Sequence, residues 1–196
     1  MEIRRLRAIK SEIRVLGISD GGPPFPATTG IGIVGVVFRG GRWFDGVLKT
    51  VVSKSRRDEM LLITRMVRLS PHYDQIRVLI LDGLLFRGPV LLNIENLRRR
   101  LQRPVIAVFD SKKTRVPKGI GAKPVNDENK RQFPFSLWIS GIHPEDALAL
   151  ARVITTKSPL PEPLRVSRLV AREFNRRLQF LSKTLKDTRR ANRTAT

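Results

Sequence analysis

The chain has no cysteine, so it can build neither a disulfide nor a Cys-based zinc site, which fits a cytoplasmic protein. Histidine is almost absent: His72 and His143 each stand beside a proline, in expected loops, and two isolated imidazoles make neither a catalytic pair nor a metal box. No apolar run reaches the roughly 18 residues of a membrane span. The start, MEIRRLRAIK, lacks the apolar stretch of a secretory signal. Negative charge is also scarce. Seventeen Asp and Glu stand against 38 Lys and Arg, leaving a formal charge of +21 over 196 residues.

A field of that size attracts phosphate and opposes compaction, so folding alone gives no reason to keep it. The charge is also grouped. Residues 1–14 carry a net +3, residues 98–131 a net +8 and residues 162–196 a net +7. Three basic stretches suggest a footprint on a polyanion. The candidate phosphate contacts are Lys112, Lys113, Arg115, Lys118 and Lys123 in the middle stretch. Arg165, Arg168, Arg172 and Arg176 follow on a C-terminal helix, and Arg189, Arg190 and Arg193 on the tail. Lys118-Gly-Ile-Gly-Ala-Lys123 adds glycines that let backbone approach phosphate. An ordinary flexible loop would look the same.

Hydropathy periodicity predicts the order of elements. Strands are expected over 13–19, 30–39 and 42–53, the last two joined by a Gly40-Gly41 hairpin turn, and a helix over 55–69 with Ser55 as a possible cap. Buried strands follow at 76–81 and 104–109, separated by a helix over 91–101. Residues 110–134 read as a long loop, 135–140 as a strand and 144–155 as a helix. Gly30-Ile-Gly-Ile-Val-Gly35 lies inside a strand, without the helix that a dinucleotide fingerprint requires.

The clearest helix spans 161–186. Val166, Val170, Phe174, Leu178, Leu181 and Leu185 form its apolar stripe, with the four arginines on another face. The domain reading is a basic extension at 1–12, a domain at 13–160, an amphipathic helix at 161–187 and a basic tail at 188–196, unstructured without a partner.

Three antiparallel strands followed by βαβα define an α/β protein with a ribonuclease H-like mixed sheet and a long basic C-terminal helix. In that topology the first and fourth strands lie side by side, so acids at their C-terminal ends converge. Asp20 follows strand one and Asp82 follows strand four. Asp45 sits in the hairpin, in Trp43-Phe44-Asp45-Gly46, and Asp58 and Glu59 open the first helix. Asp20, Asp45 and Asp82 are the candidate catalytic acids, and Asp20 and Asp82 the candidate Mg²⁺ ligands. Each also has an ordinary explanation in a turn or at a helix start.

Four stretches carry a resemblance: residues 13–21 (IRVLGISDG), 44–48 (FDGVL), 79–88 (LILDGLLFRG) and 160–166 (LPEPLRV). From about residue 11 to residue 172 the chain resembles the archaeal endonuclease dU family, small proteins that are themselves similar to endonuclease V. The resemblance implies a ribonuclease H-like fold and a Mg²⁺-dependent cut in DNA or RNA. It also implies two adjacent aspartates after strand one, where this sequence has Ser19-Asp20. A serine hydroxyl is a poor ligand for Mg²⁺, so the departure falls on the metal site.

Two readings therefore stand. The favoured one is a module bound to structured RNA, in preference to DNA, within a ribonucleoprotein such as the ribosome, on a scaffold with an eroded metal site. The other is a Mg²⁺-dependent endonuclease acting on DNA or RNA. Binding to DNA as a chromatin or repair accessory is a third and weaker idea. No membrane is expected as a partner.

Overall fold

A computed structural model describes residues 9–23, 30–53, 58–83, 85, 92–110, 119–125, 133–156 and 158–194, with side chains as far as residue 184. The elements are β1 (Arg14–Ser19), β2 (Gly30–Arg39), β3 (Trp43–Ser53), α1 (Glu59–Arg68), β4 (Val78–Asp82), α2 (Ile94–Leu101), β5 (Val105–Asp110), β6 (Lys123–Pro124), β7 (Phe135–Ser140), α3 (Pro144–Ile154) and α4 (Glu162–Thr194). They form one sheet in the order β3-β2-β1-β4-β5-β7-β6. The first three strands pair antiparallel. Strand β4 then lies parallel to both β1 and β5, as its continuous apolar run predicts.

Side chains alternate across the strands, so each central strand feeds two cores. Leu16 and Ile18 of β1, Leu79 and Leu81 of β4, and Ala107 and Phe109 of β5 face α1 and α2, where Ile63, Val67, Leu97 and Leu101 are buried. Val15, Val78, Ile80, Ile106 and Val108 face the other way, against Leu150 and Ile154 of α3 and Leu164 of α4. Asn93 caps α2, accepting a 2.9 Å bond from the Asn96 amide. Asp58 stands at the start of α1 without a side-chain cap bond, and Ser55 lies outside the described residues.

The long helix departs from its expected stripe. Beyond its first two residues, Glu162 and Pro163, the residues it buries are Leu164, Ser167, Ala171 and Asn175, while Val166, Val170 and Phe174 are half-buried against Val34, Val36 and Phe38. Leu181 is exposed. The sheet explains this. A Cβ on Gly17 would come within 2.5 Å of the Pro163 carbonyl, and one on Gly32 within 2.4 Å of the Phe174 ring. The helix sits so close to β1 and β2 that small side chains are what fit beneath it. Its backbone also continues to Thr194, through the stretch read as an unstructured tail. Residues 186–194 hold neither Gly nor Pro, so nothing in them stops a helix already nucleated. Within the expected 110–134 loop, the two-residue β6 pairs antiparallel with β7, and its proline stands on the sheet edge.

Candidate functional site

Parallel pairing of β1 and β4 sets Ile18 opposite Leu81, so Ser19 and Asp82, the last residues of the two strands, come level. Both fall on the sheet face that α4 crosses. The Ser19 hydroxyl donates a 2.8 Å bond to Asp82 Oδ2 and accepts one of 3.0 Å from the Gly21 amide. Arg168 reaches across from α4 and forks onto the same carboxylate. Its Nε donates to Oδ2 and its Nη2 to Oδ1, both at 2.8 Å. Asp82 is 1% exposed and Arg168 23%. Burial works against the arginine's charge, but the bonds to Asp82 outweigh it and raise the pKa further, with the Asp110 and Asp20 charges adding to them.

Asp20 is buried beside this pair. Its Oδ1 accepts a 2.8 Å bond from the Gly22 amide, and its Oδ2 has no hydrogen-bond partner. Burial pushes its pKa up to about 6; the Gly22 amide opposes the rise, the Asp82 charge reinforces it, and Arg168 opposes it. Asn175 holds the loop in place, donating to the carbonyls of Asp20 at 2.9 Å and Gly32 at 3.0 Å while accepting from the Gly32 amide at 2.7 Å. Arg172 Nε donates 2.9 Å to the Gly21 carbonyl.

Asp20 and Asp82 are thus brought together, but Asp45 is not among them. It lies at the far end of β1, bonded to Arg14 Nε at 2.9 Å and Arg39 Nε at 3.0 Å, so its place is structural. Asp58 accepts a long 3.4 Å bond from the Ser53 amide, and Glu59 is buried at the start of α1. The acid missed by sequence reading is Asp110, which ends β5 and adds its charge near Arg168. The signal was available: like Asp82, it closes an apolar run, in Val-Ile-Ala-Val-Phe-Asp110.

The expected phosphate contacts divide. Arg168 is committed to Asp82 rather than turned to solvent. Arg165 pairs with the buried Glu162, Arg176 makes a surface ion pair with Glu173, and Lys123 is exposed on β6. Lys112, Lys113, Arg115 and Lys118 lie outside the described residues, as do the side chains of Arg189, Arg190 and Arg193.

A resident Mg²⁺ does not fit these groups as they stand. Both oxygens of Asp82 already bond to a guanidinium, and Oδ2 also accepts from Ser19. The neighbouring Asp20 favours its proton more than an ordinary carboxylate does. Among the described residues, no three His, Cys, Asp or Glu are grouped to hold a metal ion.

Three antiparallel strands followed by a central parallel β1–β4 pair, with acids at its C-terminal edge, define a ribonuclease H-like fold, the fold shared by two endonuclease V structures. Endonuclease V of Bacillus subtilis superposes with a TM-score of 0.62 at 15% identity, covering 90% of this chain and 87% of that one. Endonuclease V of Ciona intestinalis, in complex with a 24-mer DNA containing an inosine followed by a ribo-adenosine, superposes with a TM-score of 0.54 at 13% identity, covering 84% and 86%. A protein from Archaeoglobus fulgidus gives 0.66 at 24% identity, covering 82% and 97%.

Within that class the chain belongs to the endonuclease dU family, whose model matches residues 11–133. A UPF0215 protein of Methanothermobacter thermautotrophicus is 38% identical over 190 residues, 87% of this chain and 92% of the relative. Another, from Methanosarcina barkeri, is 36% identical over 179 residues, 83% of this chain and 91% of the relative.

Proposed function

We propose that this protein binds nucleic acid without cutting it: a cytoplasmic module held on structured RNA, in preference to DNA, as part of a ribonucleoprotein such as a ribosomal particle. The observation that carries the reading is the Arg168–Asp82 pair. It puts a permanent protein cation on the carboxylate that a metal-dependent nuclease of this fold would offer to its ion. The grouped charge, +21 in all, supplies the affinity for phosphate. The preference for RNA rests on the basic stretches at both ends and in the middle of the chain, which together can follow the phosphates of a folded RNA.

Cleavage and binding assays on the same RNA and DNA, with Mg²⁺ and with Mn²⁺, test this. Salt-sensitive binding without cleavage is expected, together with co-sedimentation with ribosomal particles at moderate salt. Metal-dependent cleavage that disappears in Asp82→Ala would overturn it in favour of the endonuclease reading, which the family relationship and the unpartnered Asp20 oxygen favour.

A further inference from the structure

A concave surface lies at the other end of β1, roughly 15–20 Å from Ser19 by strand length. It is a cleft of about 1260 Å³ between the β2–β3 turn, the end of α3 and the start of α4. Trp43 and Phe44 line it, 60% and 54% exposed, with Arg42, Arg152 and Arg165 around them. Glu12 and Glu162 also line it, and Glu162 is neutralised by a 2.8 Å pair with Arg165.

Exposed aromatic rings this large call for an explanation in a soluble fold. Here the Phe44 ring is also held still. Phe44 stands edge-on to the buried Phe38, centroids 6.0 Å apart and planes at 89°. Asp45, the next residue, is clamped by Arg14 and Arg39. A Cβ on Gly40 would meet the Ser11 carbonyl at 2.0 Å, and one on Gly41 the Ile154 carbonyl at 3.0 Å, so the turn is pressed onto the neighbouring segments. The Phe38 contact and the clamp on the next residue thus gain a purpose: they fix the Phe44 ring, which loses little freedom when something stacks on it, beside the exposed Trp43.

Flat rings among arginines match one ligand chemistry closely: unpaired bases on a polyanionic backbone. The bases stack on the aromatics, and the guanidinium groups meet phosphate or stack in turn. We infer that the Trp43–Phe44 cleft binds single-stranded RNA by base stacking, separately from the basic surfaces that hold the duplex backbone. This rests on the nucleic-acid reading above. A paired helix keeps its bases stacked on each other and offers the cleft only phosphate and groove edges, so the site should discriminate strand state.

The test uses the full chain with a single-stranded RNA and a blunt RNA duplex matched in phosphate number, at one salt concentration. Trp43→Ala/Phe44→Ala should lose about tenfold or more in single-strand affinity, the scale of one base–aromatic stack, and keep its duplex affinity. Both rings are exposed, so the melting temperature should be nearly unchanged. The single strand should also quench tryptophan fluorescence in the wild type but not in Trp43→Phe, where the half-buried Trp138 is the remaining reporter. Unchanged single-strand affinity, or an equal loss on both RNAs, overturns the stacking site and leaves the broader reading intact. A wild-type protein that binds neither RNA overturns both.

Discussion

Arg168 and Asp82, 86 positions apart, close on each other through two parallel 2.8 Å bonds at the point where the sheet's central strands end. The pair is a fork-on-carboxylate geometry with one oxygen shared by Ser19, and it ties α4 to the sheet while cancelling the charge of a buried acid.

Removing one side of a buried pair strands the other. Arg168→Ala should lower stability by about 3–5 kcal/mol, read from denaturant unfolding. It should also change how the protein responds to cations. The wild type and Ser19→Asp should show no Mn²⁺-dependent rise in melting temperature, because Arg168 remains on the carboxylate in both. Ser19→Asp/Arg168→Ala should show one, since two carboxylates without a resident cation favour a divalent ion. A saturable Mn²⁺ response in the wild type that Asp82→Asn abolishes would show that the guanidinium yields to metal.

Asp20 gives stability an unusual dependence on pH. Its folded-state pKa, about 6, exceeds the ordinary 3.8, so the folded state holds the proton more tightly than the unfolded chain. The associated stability is complete below about pH 4 and is lost as pH rises through about 6, a change of about 3 kcal/mol. Most carboxylates that are paired in the fold act with the opposite sign. Unfolding free energies at pH 4, 5, 6 and 7 should show the decline in the wild type, and Asp20→Asn should flatten it. Parallel curves for the two proteins would rule Asp20 out as its source.

Gly17 is where α4 comes closest to β1. Gly17→Ala would put a methyl group 2.5 Å from the backbone of Pro163, which cannot swing aside as a side chain would. A loss of about 1–3 kcal/mol is expected from unfolding measurements. Because α4 also carries Arg168, the same substitution should make Asp82 more accessible to Mn²⁺, as reported by the shift in melting temperature. An unaffected melting temperature would mean that the helix rides higher on the sheet than the geometry shows.

Salt should dominate binding to nucleic acid. With on the order of six to ten phosphate contacts, affinity should fall roughly 10³–10⁵-fold between 50 and 200 mM salt. Deleting residues 188–196 removes Arg189, Arg190 and Arg193 and should lower the salt slope on duplex DNA by about 2.7 if each meets a phosphate. Fluorescence anisotropy across a salt series reads both. An unchanged slope would place these arginines off the polymer.

Local signals in the chain were enough for most of its elements and their order, the short edge strand β6 and the end of α4 excepted. Alternating and continuous apolar runs identified β1 through β5 and β7, and the breakers around Gly40-Gly41 located the hairpin. The order of elements alone then put β1 beside β4, and with that the meeting of Asp20 and Asp82. Such features depend on residues near in sequence, or on topology rules that leave few arrangements open. The extreme positive charge is likewise a property of composition and owes nothing to the fold.

Contacts across long separations were settled only in three dimensions. Arg168 read as one arginine of a solvent-facing row, since nothing near it indicates an acid 86 residues earlier. Its partner emerged once Gly17 and Gly32 let α4 lie close to the sheet and turned that side of the helix toward the strand ends. Asp45 read as a third site acid because a carboxylate before glycine looks alike at either end of a strand. The β2–β3 register and two arginines from different strands put it at the wrong end for the site. Whether an ionisable group serves chemistry or architecture depends on which opposite charge the folded chain brings within about 3 Å, and that distance is a property of the tertiary structure.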